Sequence, residues 1–200
     1  MKKLTEKQQE KVFSATRKCL HEIGLKKMKM ADVAAESGVS EDRIKMHFPD
    51  KKAVVSELMS LGIDHVTSIL EKSISARGKA DVKIQRFIKK LLTDYEIHDP
   101  LFKLVSLNFQ TLDEEGLLLR KLVTQDQINR YRRNTAIIGR LIAVGQSEGI
   151  FRKLDPLECA YFLRGLIHGA IRYWIATNYE GKLSDYAEQV TRIFFTGIYK

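Results

Sequence analysis

The 200-residue chain holds two cysteines, three prolines and one tryptophan, and each scarcity removes a class of protein. Cys19 and Cys159 lie far apart, each within a helical pattern. A disulfide framework and a cysteine-based metal site are therefore excluded, and both thiols read as small buried hydrophobes in a reducing compartment. With so few prolines and no low-complexity tract, long helices meet few breakers. No secretory leader is expected, since Lys2, Lys3, Glu6 and Lys7 precede no long apolar run. The most apolar stretch, 157–178, contains Glu158, Arg164, His168 and Arg172, too much charge for a lone membrane span. A cytoplasmic protein with no membrane partner follows. Motifs of catalysis are missing too. Arg77-Gly78-Lys79 lacks the strand and second glycine of a phosphate loop, and no nucleophile or zinc-protease signature occurs. The histidines His21, His47, His65, His98 and His168 show no metal-ligand spacing. His98 with Asp94 and Asp99 reads as a solvated helix end, and Asp113, Glu114 and Glu115 as an exposed charge run. No enzyme, cofactor or metal is expected.

Charge of both signs is plentiful but unevenly placed. Residues 1–52 carry 13 Lys/Arg against 8 Asp/Glu, a net +5, whereas the remaining residues carry 21 against 17, a net +4. A basic N-terminal quarter suits a polyanionic partner. Within it, residues 28–51 read as two short helices joined by a tight turn. Met30, Val33 and Ala34 share one face of the first, and Gly38 ends it where φ > 0 costs least. Val39 plugs the turn and Ser40 is placed to cap the second helix. Glu41 and Asp42 occupy its first turn, where acid suits the helix dipole. Ile44 and Phe48 point inward, and Pro49 ends it. This is the pattern of a helix-turn-helix, whose second helix enters the DNA major groove; an ordinary αα-hairpin would share it.

The wider stretch 12–51 resembles the DNA-binding domain of the TetR (tetracycline repressor) family. Val12, Ala15, Leu20 and Gly24 match its first helix. Val33-Ala34, Gly38-Val39-Ser40, Ile44, Phe48 and Lys51 match the second and third helices and the start of the fourth. Lys29 stands where the family has a capping Thr or Ser, Asp42 where it has Gly, Ala or Pro, and Lys45 where it has Tyr. Phosphate contacts made by hydroxyls in the family thus pass here to ammonium groups or are lost. Arg43 is the expected base reader, because arginine pairs bidentately with guanine. Lys29, Ser40, Lys45, His47 and Lys51 are the expected backbone contacts, with Met46 near a thymine methyl.

The rest of the chain reads as helix. Val12, Thr16, Cys19, Leu20 and Ile23 recur along a first helix over 5–23, opened by Thr5 with Gln8 in a capping box. A long helix follows Asp50 to about residue 76, with Ala53, Val54, Leu58, Leu61, Val66, Ile69 and Leu70 in one stripe. Further helices cover 84–95, the region after Pro100, 125–148, 156–178 and 183–198; residues 111–124 fit no single element. The last two helices are apolar most of the way round. Gly165 and Gly169 sit one turn apart in the first, and Val190, Ile193, Phe194 and Gly197 line the second. The resemblance implies that these helices pair with their copies in a homodimer. Phe87, Leu91, Tyr95, Phe102, Phe109 and Trp174 are candidates to line a pocket for a lipophilic or aromatic effector, with Arg172, His168, Asn108 and Gln110 as polar partners. The expectation is an all-α protein with a helix-turn-helix domain over 1–50 and a ligand-binding and dimerisation domain over 51–200. The resemblance implies a ligand-released repressor acting on a palindromic operator. The alternative is an α-helical small-molecule-binding protein or enzyme without DNA binding.

Overall fold

The structure is a computed structural model and describes residues 3–97 and 114–199. Among them the only regular elements are helices, as expected of an all-α chain, with one isolated bridge between Phe151 and Tyr199. The helices are α1 (Glu6–Lys27), α2 (Met30–Ser37), α3 (Glu41–Lys45), α4 (Lys51–Ser75), α5 (Ala80–Ile97), α6 (Glu114–Arg120), α7 (Gln125–Ser147), α8 (Pro156–Ala176) and α9 (Tyr186–Ile198). A short 3₁₀ turn, Leu183–Asp185, leads into α9. The chain divides into two compact units. Of the described residues, the first takes those up to Gly62 and 114–127, and the second takes 63–97 and 128–199. The division falls inside α4.

In the first unit, Thr5 and Gln8 form the expected capping box, the Gln8 N–H donating to Thr5 Oγ1 at 3.3 Å and the Thr5 N–H to Gln8 Oε1 at 3.1 Å. Gly24, at φ 75° and ψ 163°, breaks the helical path before a last turn that ends at Lys27. Gly38 takes φ 66° at the end of α2, a left-handed position that a side chain would strain although there is open space around it. Asp50 opens α4 by accepting the Ala53 N–H at 2.9 Å. Val12, Met28, Val33, Ile44, Val54, Val55 and Leu58 are fully enclosed and pack α1–α4 into one core. Phe13 and Phe48 meet at 5.6 Å between ring centres. Two apolar residues depart from the expected pattern. Ile23 is 41% exposed because the break at Gly24 turns the chain before its face can be covered, and Leu61 lies open on α4. Residues 114–120, where the sequence pattern suggests no single element, form α6, which packs on α1 through Leu119.

In the second unit, Asp155 caps α8, accepting the Glu158 N–H at 2.7 Å, with Pro156 at the first helical position. The loop after α7 closes on the end of α9. Phe151 is buried against Phe195 and Tyr199, and the Arg152 N–H donates to Ile198 O at 2.8 Å. Gly145 makes this possible: a Cβ there would stand 2.3 Å from the Phe151 ring. Both cysteines are free and buried, and burial pushes both thiols up. α4 is long and apolar enough to cross a membrane by length and composition, yet half of its apolar window is buried within the chain, as in a core helix.

Candidate nucleic-acid interface

α3 is five residues long, followed by a turn in which Phe48 N–H still donates to Ile44 O at 2.7 Å. Ile44 and Phe48 anchor it from below, so its sides and top are fixed by register. Ser40, Asp42, Lys45 and Met46 face solvent, while Glu41, Arg43 and His47 are half-buried at the edges. Met46 is 52% exposed, the largest apolar side chain on this face.

Each polar candidate has a definite place. Ser40 holds the N-cap position of α3, but its hydroxyl makes no capping bond, contrary to the expected cap. Ser40 O accepts the Ile44 N–H as the first intrahelical bond, and Glu41 and Asp42 sit beside the dipole in the first turn. Lys29 precedes α2. Lysine has no acceptor, so only the reciprocal half of a capping box forms, with its own N–H donating to Asp32 Oδ2 at 2.7 Å. Its ammonium stem is left exposed. Lys45 pairs with Glu41 one turn back at 2.6 Å, and the hydrogen bond to that carboxylate raises the lysine's pKa. Such an exposed pair is easily exchanged for a phosphate.

Arg43 and His47 are tied to α1. Arg43 Nη2 donates to Gln8 Oε1 at 3.1 Å, and Gln9 Nε2 donates to His47 Nε2 at 3.2 Å. The His47 ring also meets Phe48 edge-on at 4.6 Å. Two adjacent glutamines in the first turn of α1 thus orient the two half-buried side chains of α3. Sequence reasoning places Gln8 in the capping box alone and finds no part for Gln9. Lys51 has a different place from the phosphate contact expected of it. Its ammonium donates to Leu25 O at 2.7 Å, Lys26 O at 3.2 Å and Met28 O at 2.7 Å. Three donors meet three acceptors, so the side chain closes the C-terminal end of α1.

In the second unit, Phe87, Leu91, Tyr95 and Trp174 are buried, and burial pushes the Tyr95 phenol up. Trp174 closes the turn after α8: its indole N–H donates to Gly181 O at 3.1 Å and its ring meets Tyr179 edge-on at 4.7 Å. His168 is half-buried and Arg172 exposed. The His168 pKa falls to about 3, first through burial and then through the nearby Arg164 and Arg172. Phe102, Asn108, Phe109 and Gln110 lie outside the described residues. Of the residues placed at a dimer face, Gly165, Gly169, Ile193 and Gly197 are exposed, and a Cβ on any of these three glycines would meet nothing. Val190 and Phe194 are instead core residues of the protomer, Phe194 only 4% exposed, so neither lies on an open face. Phe162 (60% exposed), which the sequence pattern does not single out, and Tyr173, expected in the core or at an interface, are both exposed on α8. Between α8 and α9 a cavity of about 280 Å³ is lined by Leu154, Cys159, Phe162, Leu166, Ile193 and Phe194 among others.

Residues 12–58 match the model of the family described as bacterial regulatory proteins, tetR family. No curated protein matches the sequence. Solved structures match over nearly the whole chain. The fatty acid degradation regulator FadR from Bacillus halodurans is 17% identical, covers 98% of each chain and superposes with a TM-score of 0.78. The TetR family transcriptional regulator PfmR from Thermus thermophilus is 18% identical over 92% of this chain and 97% of its own, with a TM-score of 0.76. The MbdR regulator from Azoarcus sp. CIB is 20% identical over 95% and 98%, with a TM-score of 0.75. At such identities the likeness establishes a common fold. Residues 12–58 thus carry the helix-turn-helix domain of the tetR family of bacterial regulatory proteins, and the chain over its length shares the fold of these regulators.

Proposed function

We propose that the protein is a sequence-specific DNA-binding transcriptional regulator that acts as a homodimer and is released from its operator by a small molecule. The observation that carries the reading is the face of α3, where Lys45 and Met46 stand free of the core while Arg43 and His47 are held by Gln8 and Gln9. Arg43 reads a base and Lys29, Lys45 and His47 contact phosphate, with Ser40 adding its uncapped hydroxyl. Held side chains lose less rotamer freedom on binding than free ones, which favours a specific reader over a nonspecific basic patch. The dimer face is the exposed side of α8 and α9, where Phe162, Tyr173 and Ile193 surround three glycines with open space above them. An apolar patch of that kind on a folded chain marks an interface, and a two-fold partner would fill the groove beside Phe162 and Ile193. Two subunits would then present two α3 helices to a palindromic site. An effector held in the C-terminal unit acts only through its preference for the DNA-incompetent state.

Titration of duplex DNA from the protein's own upstream region by fluorescence anisotropy tests the reading. Specific binding should exceed binding to scrambled duplex at least a hundredfold, and the affinity should fall steeply as salt rises. Equal affinity for both duplexes would refute a sequence-specific regulator.

A further inference from the structure

Arg164 sits in an environment that DNA binding and dimerisation leave unexplained. It lies on α8 with its guanidinium carbon 3.7 Å from the centre of the Tyr131 ring of α7. Its Nε is fully enclosed and has no hydrogen-bond partner among the described residues, nor does Arg164 form an ion pair with any of them. Arg130 shows how the same unit treats a paired arginine: its Nε is also enclosed, but its Nη1 reaches Asp64 at 2.7 Å. Arg164 as a whole is half-buried, and a guanidinium partly withdrawn from water is costly unless a counter-charge meets it, a ring face offsetting only part of that cost. Around Arg164 the chain supplies phenols and positive charge. Its field reaches the buried Tyr95 phenol and His168, while His168 and Arg172 follow it at one-turn intervals on α8.

We propose that Arg164, set against Tyr131, is the anchor for the carboxylate of an effector that is an organic monoacid with an apolar body. The charge count selects a monoanion. Arg164 carries one positive charge, His168 one turn on is neutral, and Arg172 is exposed and screened by water, so one negative charge balances the site and a phosphate dianion would leave a surplus. The apolar body follows from the core of the same unit, where Leu91 and Leu92 on α5 and Leu163 and Ile167 on α8 are buried and bring no polar group. A carboxylate takes two parallel N–H donors from the guanidinium, which a single hydroxyl cannot do. The proposal rests on the effector-responsive half of the regulator reading.

Calorimetric titration of the full chain without DNA tests it, using decanoate against decanol, 4-phenylbutyrate against 4-phenylbutanol, and acetate. In at least one pair the acid should bind about tenfold or more tightly than its alcohol, as a charge-assisted bond in an enclosed site requires. Acetate should not bind measurably. Arg164→Met should bring the acid to the level of its alcohol, and Arg164→Lys, which keeps the charge without the fork, should remove most of the preference. Acids no better than alcohols in both pairs, acetate binding as well as the longer acids, or an undiminished preference in either variant would each overturn the assignment. The wild-type comparison decides even if Arg164→Met does not fold. Operator binding is measured separately. An acid-binding chain with no affinity for DNA would sink the regulator reading and leave the site, whereas an operator-binding chain indifferent to acids would sink the site alone.

Discussion

Lys51 offers two incompatible roles that one substitution separates. In the structure its ammonium closes the last turn of α1 on the carbonyls of Leu25, Lys26 and Met28, whereas a phosphate contact would need the same hydrogens. Lys51→Met keeps the stem and removes the charge. The bonds to Leu25 and Met28 are partly buried and the bond to Lys26 is exposed, so the first two carry most of the effect. Two partly screened, charge-assisted bonds together with the favourable dipole of a helix C-terminus amount to about 2–3 kcal/mol. In a unit of fewer than a hundred residues this lowers the melting temperature by roughly 10 °C or more. Thermal unfolding followed by circular dichroism reads the loss, and anisotropy well below the new midpoint reads DNA binding across a salt series. If Lys51 is the clamp, stability falls while the slope of log affinity against log salt keeps its wild-type value. If it sits on phosphate, the slope flattens by about 0.9 per subunit and the melting temperature stays. The second pattern would refute the clamp.

The remaining predictions address the reader, the dimer, the loop and the pH response. Gln8→Ala should relax base preference at the same operator position as Arg43→Ala, with the double variant no worse than Arg43→Ala alone; additive losses at separate positions, read by selection from a random library, would reject the tie between them. Phe162→Glu and Ile193→Glu should give folded monomers with weak operator binding in sedimentation and anisotropy. Phe194→Glu should unfold the protomer, because that ring is already interior. Gly145→Ala should destabilise by about 1–3 kcal/mol through its clash with Phe151, and Phe151→Leu should relieve it; a neutral Gly145→Ala in urea unfolding would show that the ring moves freely. His168 is held neutral in the fold, its pKa pushed down to about 3 from the ordinary 6.5. Its contribution is present in full above pH 6.5 and is lost as pH falls toward 3, because the unfolded chain takes up the proton first. His168→Asn should flatten the fall in melting temperature between about pH 6.5 and about pH 4.

The helix-turn-helix was legible because its signals are local. A left-handed glycine, a plug, two buried residues one turn apart and a proline stop all fall within a dozen positions, and each dictates a backbone conformation or a face. Helix identities in the second unit were legible for the same reason: apolar residues repeating at 3.6 report burial without naming the partner. Ties across the sequence were not legible. Arg43 and Gln8 are 35 residues apart, and neither residue type announces the other; the pairing exists only once α1 and α3 cross. The clamp made by Lys51 was hidden by the same gap, since a lysine at a helix start reads as a cation facing outward until the end of α1 is brought against it.

A helix apolar on most sides poses a sharper problem, because periodicity then carries no phase. Ile193 and Phe194 are adjacent on α9, about 100° apart around its axis. From sequence both qualified for an interface, yet only one can point away from the protomer. The choice is made by volume. Phe194 and Phe195 meet at a tilt with ring centres 5.8 Å apart and join the cluster of Phe151 and Tyr199 that fixes the end of α9, and this rotates Ile193 outward beside Phe162. Gly145 sets that rotation at one remove, since only a residue without a Cβ lets Phe151 reach the position from which it holds α9. The proposed dimer face therefore depends on a glycine in a different helix, and repacking the loop at Phe151 should alter subunit affinity without touching any residue of the interface.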